Sequence, residues 1–234
     1  REHPDLPSNP TTTVDYHGLR RRKVDVEAER LRAWGKAVLG LHPVRRDLHL
    51  FMILTGMRRT SACEARASEL DLGARRLHVP KPKGGAARAF DLPLSGPLAD
   101  LLGHRLAENP KLHRKSPWLF PADSKSGHVA EVAQHELDGL TGHALRHTYA
   151  TLALQAGVPI AELKFLLNHA AGNVTMGYLN PSLDHLRGYQ EKASAYVLDA
   201  LGSYTPLFVV AGGAYFLALL SIQLLSPRLE RTDA

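Results

Sequence analysis

The chain has 234 residues and carries 29 Lys and Arg against 23 Asp and Glu, a formal charge of +6. That length supports one sizeable core, or one domain with appendages, and the basic balance fits a nucleic-acid partner without requiring one. The single cysteine, Cys63, excludes an internal disulfide and a structural zinc site built on cysteines; it reads as a small core residue, and a reducing cytoplasm suits this cysteine usage.

Residues 1–23 open on "REHPDLPSNP", charged and proline-rich with no signal-peptide pattern, and close on the basic run "RRRK". They read as an extended arm or interdomain linker. The missing initiator Met points to a chain that starts partway through a longer protein. From Asp25 the pattern turns helical, with acids in the first turn and Leu31, Trp34, Val38 and Leu39 at helical spacing. "VRRDLHLFMILTGM" (44–57) predicts a second, more buried helix. Two short alternating runs, 76–80 and 89–94, are joined by "KPKGGAAR" and predict a β-hairpin with glycines at its turn. "SGPLADLLGHRLAEN" predicts another helix, and "SPWLFPADSKSGH" a proline-framed loop. Further helices are expected over 142–156, ending at Gly157, from Pro159 to about 168, over 172–179 and over 182–201. The expected fold is α+β, mainly α-helical, with a small antiparallel β-sheet, in one domain over 24–202.

The tail, 203–234, changes character. From Ala200 to Pro227 there is no charged residue, and "PLFVVAGGAYFLALLSIQLL" (206–225) has the length needed to span a bilayer. A helix docked on this or a neighbouring subunit is the competing reading.

"HALRH" (143–147) places His143 on one helical face with Arg146 and His147. A zinc-protease site of the H-E-x-x-H kind needs a glutamate where Ala144 stands, and no third ligand is in view, so no metal site is expected. A phosphate site fits better: Arg146 offers a planar fork of donors, and His143 can donate a hydrogen bond or move a proton near neutral pH. Other residues join this pair. Arg58 follows a helix-ending glycine in "LTGMRRT", Lys83 sits in the hairpin turn "KPKGG", and His169 and Tyr178 lie in "LLNHAAGNVTMGY".

The order Arg, Lys, His-x-x-Arg, His, Tyr resembles the catalytic domain of the tyrosine recombinases, the phage integrase family, over roughly residues 25–200. "TGMRRTSACEARASELDL" is similar to the family's first arginine box and "LHVPKPKGGAARAFDLPLS" to its lysine hairpin. "GHALRHTYATLALQAGVPIAELKFLLNHAAGNVTMGYLNP" is similar to its second box and nucleophile segment. Ser61, Ala67 and Asn168 depart from the acidic residue, tryptophan and glycine common in the family at those places. Ser61 leaves the support of Arg58 open.

The resemblance implies the DNA breaking-rejoining fold and a strand-transfer activity on double-stranded DNA. Tyr178 would be the nucleophile that forms a 3′-phosphotyrosyl bond. Arg58 and Arg146 would neutralise the transition state, with a hydrogen bond from His169. Lys83 would be the acid for the leaving 5′-oxygen, with Lys81 its competitor, and His143 would assist proton transfer. Arg59 and Lys81 would meet the DNA backbone, while His49 and His78 are expected to have no role. No metal or other cofactor is implied. A homo-oligomer, a tetramer on DNA, is, and so is the integration or excision of a mobile element. Two other readings stay open: a catalytically inactive DNA-binding relic tethered by its tail, and a type IB topoisomerase-like relaxing activity. The segment 203–231 resembles the last transmembrane helix of a major facilitator superfamily transporter. An inner-membrane contact through 206–225 would follow for an otherwise cytoplasmic protein. Full-length relatives usually carry an N-terminal core-binding domain, and only a linker stands in its place here.

Overall fold

The computed structural model describes residues 27–131, 134–169 and 181–202. The arm 1–23, the expected helix over 172–179 with Tyr178, and the tail with its 206–225 span lie outside the described residues. Among the described residues, no helix is long and apolar enough to cross a membrane.

Helix α1 (Ala28–Leu39) buries Leu31, Trp34 and Val38. Leu39, expected on the same face, is 38% exposed, because the helix ends there and the chain turns through Gly40. Helix α2 (Pro43–Thr55) is the central element: every residue from Asp47 to Thr55 is buried, with the apolar run Leu50–Leu54 at its centre and Asp47, His49 and Thr55 hydrogen-bonded or paired. It packs against α1, a long helix α4 (Gly96–Leu112), α5 (His143–Gln155) and α7 (Leu183–Ala200). A polar chain ties three of these together. Tyr149 of α5 donates its hydroxyl hydrogen to Gln190 Oε1 at 2.8 Å, and Gln190 Nε2 of α7 donates to Leu54 O of α2 at 2.7 Å. The buried carboxylate of Asp47 meets Arg46 Nε at 2.8 Å and Arg105 Nε of α4 at 3.1 Å, so the charge on α2 is compensated across the helix pair.

Helix α2 stops two residues before the expected end. Gly56 takes the left-handed conformation (φ 60°) and returns its N–H to Met52 O at 2.9 Å, a glycine stop. Thr55 Oγ1 closes the same turn by accepting the Met57 N–H at 3.1 Å. Gly56 also lies against α5. A Cβ there would clash with the Tyr149 ring and stand 2.7 Å from Leu167 Cδ2. Gly56→Ala therefore adds backbone strain to overpacking, and it should destabilise the chain by about 3 kcal/mol, read as a lower urea midpoint with an unchanged slope.

The sheet has three strands, not two. A two-residue strand β1 (Leu70–Asp71) pairs antiparallel with β2 (Arg76–Val79), and β2 pairs antiparallel with β3 (Phe90–Pro93), in the order β1-β2-β3. The hairpin register sets Leu77 opposite Leu92, both fully buried, against the helices. A single turn of helix, α3 (Arg59–Cys63), separates α2 from the sheet. Helix α4 runs on through Pro110 to Leu112, past its expected end at 109. Its last turn is held by buried Asn109, whose Nδ2 donates to Leu119 O at 3.0 Å. Helix α6 (Ile160–Leu166) starts after Pro159, which caps it from outside, and α7 is capped by Ser182, whose Oγ accepts the His185 N–H at 3.2 Å.

Candidate active site

Four chain segments converge at the C-terminal end of α2. The left-handed Gly56 turns the chain so that Arg58, in extended conformation (φ −64°, ψ 140°), leads into α3. Arg146 rises from the first turns of α5 and is buried, 7% exposed. Its Nη1 donates to Gly56 O at 2.7 Å and its Nη2 to Leu167 O at 2.6 Å. One guanidinium therefore joins the end of α2, the start of α5 and the end of α6. Two of its five N–H donors are used by these carbonyls, which leaves three for a ligand. Arg58 and Arg146 share a small cleft with Ser61, Pro82, Phe90 and Leu167.

The β2–β3 connection closes the cleft from the sheet side. Pro82 is buried and accepts the Gly85 N–H at 2.9 Å, a tight turn with Lys83 at its exposed tip. The turn needs positive φ at Gly84 (109°) and Gly85 (84°), which explains the glycine pair. From the α6 side, the turn after Leu166 presents His169, whose backbone N–H donates to Lys164 O at 2.9 Å.

These groups shift one another's titration. Desolvation first, then the charge of Arg58, pushes Arg146 down to about 10. Arg58 is lowered by burial and by the charge of Arg88. Partial desolvation of the ring, followed by the charges of His147, Arg146, Arg58 and Lys83, lowers His143. His169 is lowered by desolvation, then by Arg146, Arg58, Lys164 and Arg88. Among the described residues none of Arg58, Lys83, Arg88, His143, Arg146 and His169 forms an ion pair. Among the described residues, the cleft is a concentration of positive charge whose cations have no carboxylate within ion-pair distance.

The other expected residues are placed more loosely. Arg59 is exposed and lies 3.6 Å from Glu131, its Nε facing the carboxylate. Lys81 is exposed, beside Trp118 and Arg66 along a neighbouring groove. His143 Nε2 and His147 Nε2 are 2.8 Å apart, with one hydrogen between them, and no third metal-ligating side chain joins them among the described residues. His49 is buried and its Nδ1 meets Arg45 O at 2.7 Å, while His78 pairs with Asp91 at 2.7 Å; both are outside the cleft. Tyr178 lies outside the described residues.

Two contributors carried no signal in the sequence. Glu131, from the loop before α5, faces the start of that helix, its Oε2 3.0 Å from where a Gly142 Cβ would be. Burial raises its carboxyl above the usual range, offset in part by the Gly142 backbone and the charge of Arg59. Arg88, at the far end of the β2–β3 connection, is a further cation whose charge reaches Arg58 and His169. Cys63 lies on α3 beside this region, and burial with the Glu131 charge pushes its thiol up to about 11. At pH 8 only roughly one thiol in a thousand is then ionised. Cys63 should stay unreacted toward an aromatic disulfide reagent in the native chain and react fully in guanidinium, as read by thiolate release.

Comparison with known proteins agrees with this geometry. The sequence pattern described as the phage integrase family matches residues 41–185. Prophage integrase IntF of Escherichia coli (strain K12) is 28% identical over 188 residues, covering 76% of this chain and 40% of that protein. Tyrosine recombinase XerA of Thermococcus onnurineus is 30% identical over 165 residues, covering 64% of this chain and 56% of that protein. The chain thus spans about half the length of the curated relatives it matches. The solved integrase from mycobacterium phage Brujita shares the fold at a TM-score of 0.53 and 19% identity, covering 76% of this chain and 63% of that one. With the family pattern covering most of the chain over these same helices, strands and cleft residues, the chain belongs to the phage integrase family.

Proposed function

We propose that this chain is the catalytic part of a site-specific DNA recombinase, which cleaves and rejoins double-stranded DNA through a 3′-phosphotyrosyl bond to Tyr178. The observation that carries the reading is the cleft of cations that pair with no carboxylate among the described residues. Such a cluster is unfavourable by itself and becomes favourable when a phosphodiester supplies the missing negative charge. Membership of the phage integrase family supports the same substrate.

In the proposed reaction Tyr178 Oη attacks the scissile phosphorus and the bond to the 5′-oxygen breaks. The tyrosine proton passes toward His143, whose pKa is lowered by desolvation and then by its cationic neighbours, which favours the neutral ring that can accept it. Lys83 at the hairpin tip gives a proton to the departing 5′-oxygen. Arg58 and Arg146 hold the non-bridging oxygens as charge gathers on them, and His169 donates a further hydrogen bond. The phosphotyrosyl bond keeps the energy of the phosphodiester, so a second 5′-hydroxyl can attack it and release Tyr178 without a nucleotide cofactor. Exchange between two duplexes breaks four strands, which calls for four active sites and hence a homo-tetramer on DNA. Integration or excision of a mobile element is the proposed task.

The deciding experiment is covalent trapping. The chain is incubated with fragmented genomic DNA and denatured in detergent, and the DNA that stays attached is sequenced. Attached DNA sharing one sequence supports a site-specific recombinase. Attached DNA of random sequence, with relaxation of supercoiled plasmid, would point to topoisomerase-like chemistry. Duplex binding with nothing attached would point to an inactive DNA-binding relic.

A further inference from the structure

The β2–β3 connection carries more than Lys83. Arg88 ends the short 3-10 turn Ala86–Arg88 and is half-buried. Its side chain lies across Gly84: a Cβ there would stand 2.6 Å from Arg88 Cδ, so the arginine stem occupies the space any other residue at 84 would fill. Its backbone is held from the opposite wall of the cleft, where Asn168 Nδ2 donates to Arg88 O at 3.0 Å. Asn168 has φ 44°, a left-handed conformation that asparagine adopts at lower cost than most residues, and His169 follows it directly. One side-chain hydrogen bond therefore ties the turn bearing His169 to the loop bearing Lys83 and Arg88. A glycine at 168 would accept the backbone conformation and make no such tie. The Arg88 guanidinium, meanwhile, forms no ion pair among the described residues, and its charge is felt at both Arg58 and His169.

We propose that Arg88 is an additional ligand for the DNA phosphate backbone at this cleft, and that Asn168 is the positioning residue that holds its loop there. The proposal rests on the strand-transfer reading for its catalytic part, while its binding part is independent of that reading. Arg58 and Arg146 approach from the helices, whereas Arg88 approaches from the sheet beside Lys83. The cleft then surrounds a phosphate from both walls, and the Asn168 tie sets the distance between them.

The test compares the full chain with Arg88→Ala, Arg88→Lys, Asn168→Ala and the double variant Arg88→Ala/Asn168→Ala. Binding to a random-sequence duplex is measured against salt concentration, and adduct formation is followed in single turnover on the DNA recovered by trapping. Losing one phosphate contact should lower the slope of log affinity against log salt by about 0.9. Arg88→Ala should show that loss and slow adduct formation by about 100-fold. Arg88→Lys should keep the slope and recover part of the rate. Asn168→Ala should slow adduct formation about tenfold, and the double variant should be no slower than Arg88→Ala alone, since the tie acts through Arg88. A wild-type slope in Arg88→Ala overturns the proposal, whatever happens to the rate. Fully additive effects in the double variant overturn the role of Asn168. Failure of the wild-type chain to form any adduct would sink the strand-transfer reading, and the salt slopes would still decide whether Arg88 binds phosphate.

Discussion

Replacing Tyr178 with phenylalanine should abolish the protein–DNA adduct altogether while leaving duplex binding nearly intact. The substitution removes one oxygen and keeps the ring, so the expected loss in affinity is no more than about tenfold, the worth of a single hydrogen bond. The loss in adduct has no such limit, because without Oη there is no bond to form. Among the described residues the other tyrosines are poorly suited to take over. Tyr149 lies one helical turn from Arg146, but it is fully buried, its hydroxyl is committed to Gln190, and burial raises its pKa well above the usual phenol range. Tyr189 and Tyr196 sit on α7, Tyr189 packed edge-on against His185. The measurement is a denaturing gel of chain plus labelled duplex, wild type beside Tyr178→Phe, with a filter-binding assay on the same samples. An adduct that survives in the variant would remove Tyr178 from the nucleophile role. An adduct missing from both, with binding retained in both, would favour the inactive relic.

The elements that could be read from the sequence are those whose signal is local and long. Helix α2 carries the unbroken apolar run Leu50–Leu54, α4 and α7 are long, and the glycines after β2 mark a tight turn. What escaped is short or depends on distant partners. Strand β1 is two residues long, too few to alternate, and exists because Leu70 and Asp71 find Leu77 and Arg76 across a turn. Helix α3 is a single turn, created by the left-handed stop at Gly56 rather than by any pattern of its own. The exposure of Leu39 and the continuation of α4 through Pro110 are likewise settled by neighbours, not by spacing.

The cleft divides in the same manner. Arg58, Lys83, His143, Arg146 and His169 were recognisable because their order and the words around them resemble one family; in the fold Arg58 and Arg146 act on both His143 and His169, and Lys83 acts on His143. Their individual bonds were not readable. Nothing in "HALRH" says that Arg146 spends two donors on the carbonyls of Gly56 and Leu167, which lie 90 and 21 residues away. Glu131 and Arg88 are ordinary charged residues in loops until the loops are folded. Ser61 leaves the usual acidic place empty. Glu131, from another segment, lies instead beside Arg59 and faces the start of α5.

Those two carbonyl bonds make Arg146 the residue whose replacement should have the largest combined effect. In Arg146→Ala the buried oxygens of Gly56 and Leu167 lose their donors, at about 1–3 kcal/mol each, so the ends of α2 and α6 loosen together with the site. Arg146→Lys separates the two roles. An ammonium can still donate to both carbonyls, and most of the stability should be retained, but it has no planar fork left for the two non-bridging oxygens of a phosphate. Adduct formation should then fall about 100- to 1,000-fold, the usual loss for one preorganised donor to a developing oxyanion, at a urea midpoint close to that of the wild type. The wild-type side chain is cationic at pH 7, because burial and Arg58 push Arg146 down only to about 10. If Arg146→Lys forms adduct at the wild-type rate, Arg146 is a structural clamp, and the phosphate must be held by Arg58 and the hairpin loop. If the rate falls while stability holds, the same guanidinium both assembles the cleft and acts in it. The burial that lowers its pKa is then the cost of fixing three donors in place before the phosphate arrives.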